Sequence, residues 1–130
     1  MAKVEKVDPT PEDIERLLAE ASDGPIVMLN LLRYAPDGGR ETYAEYAVKA
    51  QPFVEKVGGE IVFAGECSVP IVAPDAHRWD TIALVRYPSV KAFMEMVSDP
   101  DYFAITPIRT RALDAAVLQV TRPLTDSPLA

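Results

Sequence analysis

At 130 residues, nearly half of them apolar (48%) and a quarter charged (25%), the chain has the composition of one globular domain rather than of a disordered segment. Its formal net charge of -7 argues against binding to a phosphate backbone, which draws on clustered Lys and Arg, and no apolar run approaches membrane-spanning length. The opening MAKVEKVDPTPED lacks the apolar stretch of a secretory signal, so a cytoplasmic protein with neither nucleic-acid nor membrane partners is expected.

Thr10-Pro11-Glu12-Asp13 is a helix start, with Thr10 as N-cap, Pro11 at the first helical position and carboxylates where the helix dipole favours them. Ile14, Leu17, Leu18 and Ala21 recur on one face until Asp23-Gly24-Pro25 stops the helix. Pro25 to Tyr34, PIVMLNLLRY, reads as a strand apolar on both faces except at Asn30 and Arg33, and such a strand must be covered on both sides. A turn at Pro36-Asp37-Gly38-Gly39 leads into a helix from Glu41 to Val57, which Pro52 is expected to kink and Gly58-Gly59 to close.

Glu60 to Val69 is a second strand with a bulge expected at Gly65. An irregular connection from Pro70 to Arg78, with a short strand at Ile71-Val72, leads to a third strand from Trp79 to Tyr87, which Pro88 ends. Ser89 caps a short helix carrying Val90, Phe93, Met94 and Val97 on one face. Asp99-Pro100 starts another helical turn, and Thr106-Pro107 repeats that grammar to open a helix holding Arg109, Arg111, Leu113 and Ala116. Val117 to Arg122 is the last strand.

Three segments follow from this reading: an N-terminal extension with one helix (1–24), an α+β domain (25–122) and a tail (123–130). Strand, helix, strand, strand, helix, strand prescribes a ferredoxin-like, four-stranded antiparallel sheet with helices on one face. The other face would be left apolar and bare, since IVMLNLL, IVFA, TIALV and VLQV carry apolar residues at both parities. A homodimer joined through the sheet faces, a dimeric α+β barrel, is therefore expected.

Tyr87-Pro88-Ser89, Ala92-Phe93, Asp99-Pro100-Asp101-Tyr102 and the pair Arg109 and Arg111 together resemble the domain-of-unknown-function family 1330. Met28-Leu29-Asn30-Leu31-Leu32, Tyr43, Tyr46 and Gly58-Gly59 resemble its longer members, so the likeness runs from about Pro25 to Arg122. The resemblance implies the dimeric α+β barrel superfamily, whose members include small cofactor-independent monooxygenases, muconolactone isomerase and related haem-binding proteins. The family itself has no generally assigned reaction. The single histidine, His77, falls in the proline-rich connection, which argues against a haem ligand on a helix and against a histidine-centred mechanism.

Asn30, in the middle of an apolar strand, needs a partner or a wet cavity, because an unpaired amide costs on the order of 1–3 kcal/mol. It is either a pocket residue or a structural hydrogen bond. Glu66 is the best carboxylate for acid-base work if partly buried, and otherwise a solvated strand-end residue. Trp79, with Asp80 beside it, can wall a cavity for a planar substrate or pack at a dimer seam. Among the arginines, Arg33 ends a buried strand and Arg109 belongs to the family pattern. Either can grip a carboxylate or enolate, or make a structural ion pair. Tyr46 and Tyr102, like Tyr43, sit on helix positions facing the sheet and serve packing or proton donation.

No metal site and no cofactor are expected: His77 stands alone, and Cys67, the single cysteine, allows neither an intramolecular disulfide nor a multi-cysteine site. Two functions compete. One is a cofactor-independent enzyme, monooxygenase- or isomerase-like, acting on a small and preferably aromatic molecule, with Asn30 and Glu66 catalytic. The other is a non-catalytic ligand-binding or assembly module. Convergence of Asn30, Glu66 and Arg33 or Arg109 on one concave pocket is the condition for the first.

Overall fold

The structure, a computed structural model, describes residues 6–21 and 23–124. In chain order it contains α1 (Pro11–Ala19), β1 (Ile26–Tyr34), α2 (Gly39–Lys56), β2 (Glu60–Glu66), β3 (Thr81–Tyr87), α3 (Val90–Val97), α4 (Pro100–Ala112) and β4 (Leu113–Thr121). The strands form one sheet in the order β2-β3-β1-β4, and every neighbouring pair is antiparallel. This is the expected α+β arrangement, ferredoxin-like, preceded by a helix. Of the segment 123–130, residues 125–130 lie outside the described residues.

Local chemistry explains the boundaries. Thr10 Oγ1 accepts from the Asp13 amide at 3.2 Å while the Asp13 carboxylate accepts from the Thr10 amide at 2.8 Å, a reciprocal box that fixes the start of α1. Ser89 and Asp99 cap α3 and α4 through the amides of Ala92 and Asp101. Gly39 opens α2 where the chain presses on the end of α4: a Cβ there would sit 2.6 Å from the Ala112 carbonyl oxygen. No other residue fits that contact without moving backbone.

Four expectations are corrected. Thr106-Pro107 does not open a new helix, because α4 runs unbroken from Pro100 to Ala112. Proline removes the amide that would serve the Phe103 carbonyl four residues back, and the Thr106 hydroxyl donates to that oxygen at 2.7 Å instead. Leu113 and Ala116 belong to β4 and not to the helix, since Leu113 pairs with Tyr34 and Ala116 with Leu32 across the sheet. The irregularity in β2 falls between Ile61 and Phe63, not at Gly65, which pairs regularly with Ile82. Gly65 instead leaves room for the Phe63 ring, 2.9 Å from where a Cβ would stand. Residues Ile71 and Val72 form no strand and lie almost fully exposed in the connection.

Alternation divides the sheet into two faces. Ile26, Met28 and Leu32 of β1 turn toward the helices and are buried, as is Tyr87 of β3. Val27, Leu29, Leu31 and Arg33 turn the other way. The main core packs Ile26, Met28, Tyr46, Ala50, Tyr87, Val90, Phe93, Met96 and Tyr102 between sheet and helices. Ile26 is 1% exposed and pairs with Tyr87. Ile26→Ala is expected to cost about 2–5 kcal/mol in urea unfolding; a loss below about 1 kcal/mol would mean this core is not tightly packed.

Candidate functional site

Met28, Asn30 and Leu32 alternate along β1, and Thr81, Ala83, Val85 and Tyr87 alternate along β3, so these side chains share the helix-facing side. Above them α2 and α4 pack on each other, and the hydroxyls of Tyr46 and Tyr102 meet at 2.5 Å in a buried hydrogen bond. The ring of Tyr102 also stands edge-on to Phe53. Between this helix pair, α3 and the sheet lies a cavity of about 980 Å³ with a mostly apolar wall. Met28, Val54, Val85, Phe93, Met94 and Met96 supply much of the apolar surface; the polar residues include Asn30, Thr81, Tyr43, Tyr46, Tyr87 and Tyr102, with Asp8, Arg109 and Arg111 as the charged ones.

The phenols are held neutral. Burial, reinforced by the neighbouring Tyr102, pushes the Tyr46 hydroxyl far above the ordinary tyrosine range. Burial also raises Tyr43, although the Arg109 charge beside it pulls the other way, and burial raises Tyr87, whose hydroxyl faces the Met96 sulfur at 3.8 Å. At neutral pH they are hydrogen-bond donors and not bases.

Arg109 is 7% exposed. Its Nη1 donates to the Val7 carbonyl at 2.5 Å and lies 3.4 Å from Asp8, whose carboxylate also accepts from the Thr110 hydroxyl at 2.9 Å. Nη2 is buried and makes no hydrogen bond of good geometry among the described residues, while the Tyr43 hydroxyl interacts with the same guanidinium. The Asn30 amide donates to its own strand, to the Met28 carbonyl, at 3.3 Å. The wall thus combines hydroxyls and amides with the buried cation of Arg109, the exposed Arg111 and the Asp8 carboxylate.

Of the residues singled out in the sequence, Asn30, Tyr46, Tyr102 and Arg109 line this cavity. Glu66, Arg33, Trp79 and Asp80 do not. Glu66 is the last residue of β2, a strand at the sheet's edge; its side chain is 79% exposed and meets Arg40 at 3.2 Å. Arg33 has the opposite parity to Met28 and lies 3.4 Å from Asp114. Trp79 and Asp80 precede β3, where the Asp80 carboxylate accepts from the Tyr34 amide at 2.8 Å and its backbone links Leu32 to Cys67. An enzyme built on Asn30 and Glu66 together does not have its two groups in one pocket. The sequence reading did not single out Tyr87 or Asp8 for the cavity. Tyr87 shares the parity of Val85 and could have been found that way, whereas nothing in the sequence ties Asp8 to α4.

Among the described residues no group of three or more His, Cys, Asp or Glu could hold a metal ion, and no helix is long and apolar enough to cross a membrane.

The family model described as domain of unknown function (DUF1330) matches residues 38–122. A crystal structure of a protein of unknown function from Rhodopseudomonas palustris is 34% identical, superposes with a TM-score of 0.87, and the match covers 94% of this chain and 99% of that one. Two more distant structures share the fold. A dimeric ferredoxin-like protein of unknown function from Jannaschia is 10% identical with a TM-score of 0.60, over 77% of this chain and 100% of that one. A dabb family protein with a ferredoxin-like fold from Mesorhizobium loti is 12% identical with a TM-score of 0.57, over 79% and 100%. No curated protein matches the chain.

An alkaline titration checks the electrostatics. Because Tyr43, Tyr46 and Tyr87 favour the neutral form when folded, the stability they contribute is complete below the unfolded pKa of about 10 and is lost as pH rises toward their folded values. Tyrosinate absorbance should therefore rise only in part near pH 10, the remainder appearing together with unfolding. Ionisation of all five tyrosines near pH 10 in the folded protein would contradict the burial described.

Proposed function

We propose that this chain, which belongs to the DUF1330 family, is a homodimeric binding protein for a small, largely apolar organic molecule. One observation carries the reading: the cavity between sheet and helices, about 980 Å³, combines an apolar wall with a few polar groups. That combination, at the upper end of the usual size range, is the general form of a small-molecule site. Asn30, Tyr46, Tyr102 and Arg109 are among the polar contacts available to the ligand, and they orient it within walls of Met28, Val85, Phe93 and Met96.

The dimer rests on the opposite face of the sheet. Leu29 of β1 lies beside Leu84, and Leu31 beside Ile82 and Val117, all partly exposed, while Phe63 on β2 next to Leu84 is 53% exposed. A contiguous apolar face of this kind is characteristic of an interface, and a second copy packed sheet to sheet covers it on both chains by one two-fold operation. The dimeric state of the Jannaschia protein, which shares the fold, is in keeping with this.

A second reading, a cofactor-independent reaction of isomerase or monooxygenase type, is favoured by one feature: neutral phenols and a buried guanidinium can stabilise an oxyanion developing on a bound carbonyl. In that reading Asn30 and a tyrosine serve the reacting oxygen, and the proton is moved by a group other than Glu66.

Both parts of the main reading can be measured. In a thermal-shift screen of small aromatic acids and quinones, a ligand at a hundred times its dissociation constant should add about 2.7 kcal/mol of stability; no shift with any compound would count against the cavity as a ligand site. Light scattering at micromolar concentration should give twice the chain mass, and Leu84→Lys on the open face should halve it while leaving the far-ultraviolet circular dichroism unchanged. A wild-type monomer would remove the dimer.

A further inference from the structure

We propose that the ligand carries a carboxylate, or an equivalent planar oxyanion, drawn to the guanidinium of Arg109 in the cavity wall; the inference rests on the ligand-binding reading above and names its ligand class. Arg109 is buried in the cavity wall, and its two terminal nitrogens are treated differently by the fold. Nη1 is committed to the Val7 carbonyl and to Asp8. Nη2 is equally buried and makes no hydrogen bond of good geometry among the described residues, and the Tyr43 hydroxyl, a neutral group, interacts with the same guanidinium. A buried cation whose charge is only partly matched is costly, and an anionic group entering the cavity would supply the missing charge.

The charge around the cavity points the same way. The chain as a whole is acidic, at -7, yet the wall of this cavity contains two arginines, Arg109 and Arg111, against one carboxylate, Asp8. Asp8 is itself 46% exposed and shared with the Thr110 hydroxyl, so it balances the Arg109 charge only in part. The other polar residues of the wall are hydroxyls and amides, among them Tyr43, Tyr46, Thr81, Asn30 and Gln51, and none is acidic. A guanidinium suits a carboxylate in particular, because hydrogen bonds between charged partners are about twice as strong as neutral ones. The rest of the wall is apolar, so the ligand is a monocarboxylate with an apolar body.

The test compares acids with amides of the same shape on the full-length wild-type protein. Naphthalene-2-carboxylate and naphthalene-2-carboxamide form one pair, decanoate and decanamide the other, each titrated by calorimetry at low salt. At least one acid is expected to bind about tenfold or more tightly than its amide, with the preference shrinking as salt is raised. In Arg109→Gln the acid should fall to the affinity of the amide. Since Arg109 also holds Val7, that variant is used only if its circular dichroism matches the wild type; the wild-type comparison stands without it. An amide that binds as tightly as its acid would overturn the proposal and leave the ligand-binding reading intact. No binding by any of the four overturns both, and a folded Arg109→Gln that keeps the preference overturns the assignment to Arg109.

Discussion

A central strand that is apolar on both faces must be covered on both faces, and most of this architecture follows from that requirement. β1 lies between β3 and β4, so neither edge is free, and its alternation sends Ile26, Met28 and Leu32 one way and Val27, Leu29 and Leu31 the other. The chain itself covers only the first side. Covering the second by another copy of the same surface would need no further element.

On the covered side the helices do not simply fill the space above the sheet. α2 and α4 join each other through the Tyr46–Tyr102 hydroxyl pair and the Phe53–Tyr102 ring contact, and this pair bridges over the strands. α3 closes one end with Phe93, Met94 and Met96. Thr106 keeps α4 continuous across Pro107 by taking up the Phe103 carbonyl, so that Tyr102 and Arg109 are presented from one rigid element. Arg109 in turn holds the segment before α1 through Val7, which buries the arginine and encloses one end of the cavity. The result is a space walled mostly by hydrocarbon in which the polar groups are phenols and other hydroxyls, the amides of Asn30 and Gln51, the cations Arg109 and Arg111 and the carboxylate of Asp8, a set rich in donors for an oxygen acceptor.

The order of elements, the sheet and the helix caps were legible in the sequence because each rests on local signals: Thr10, Ser89 and Asp99 as caps, and the both-face apolar strand PIVMLNLLRY. Pro107 misled because its missing amide was read without the hydroxyl of the preceding threonine, which supplies the lost bond. The site was half legible. Asn30, Tyr46, Tyr102 and Arg109 could be chosen because a polar or amphipathic group on a sheet-facing position must find a partner or a cavity. Arg33 needed only its parity to be excluded, since it alternates with Asn30 by an odd step. Glu66 could not be placed from its own strand, because an edge-strand end is open to solvent and Arg40, far away in sequence, draws it outward. Asp8 meets Thr110 and Arg109 only through the tertiary fold.

The central claim is that the space between sheet and helices receives a ligand, and methyl resonances of the methionines that line it report this most directly. Met28 comes from β1 and Met94 and Met96 from α3, so the three methyl groups view the cavity from two sides. Titration with naphthalene-2-carboxylate should move all three together, saturating with a single dissociation constant. Saturating ligand that leaves these three methyl groups unmoved would contradict the account.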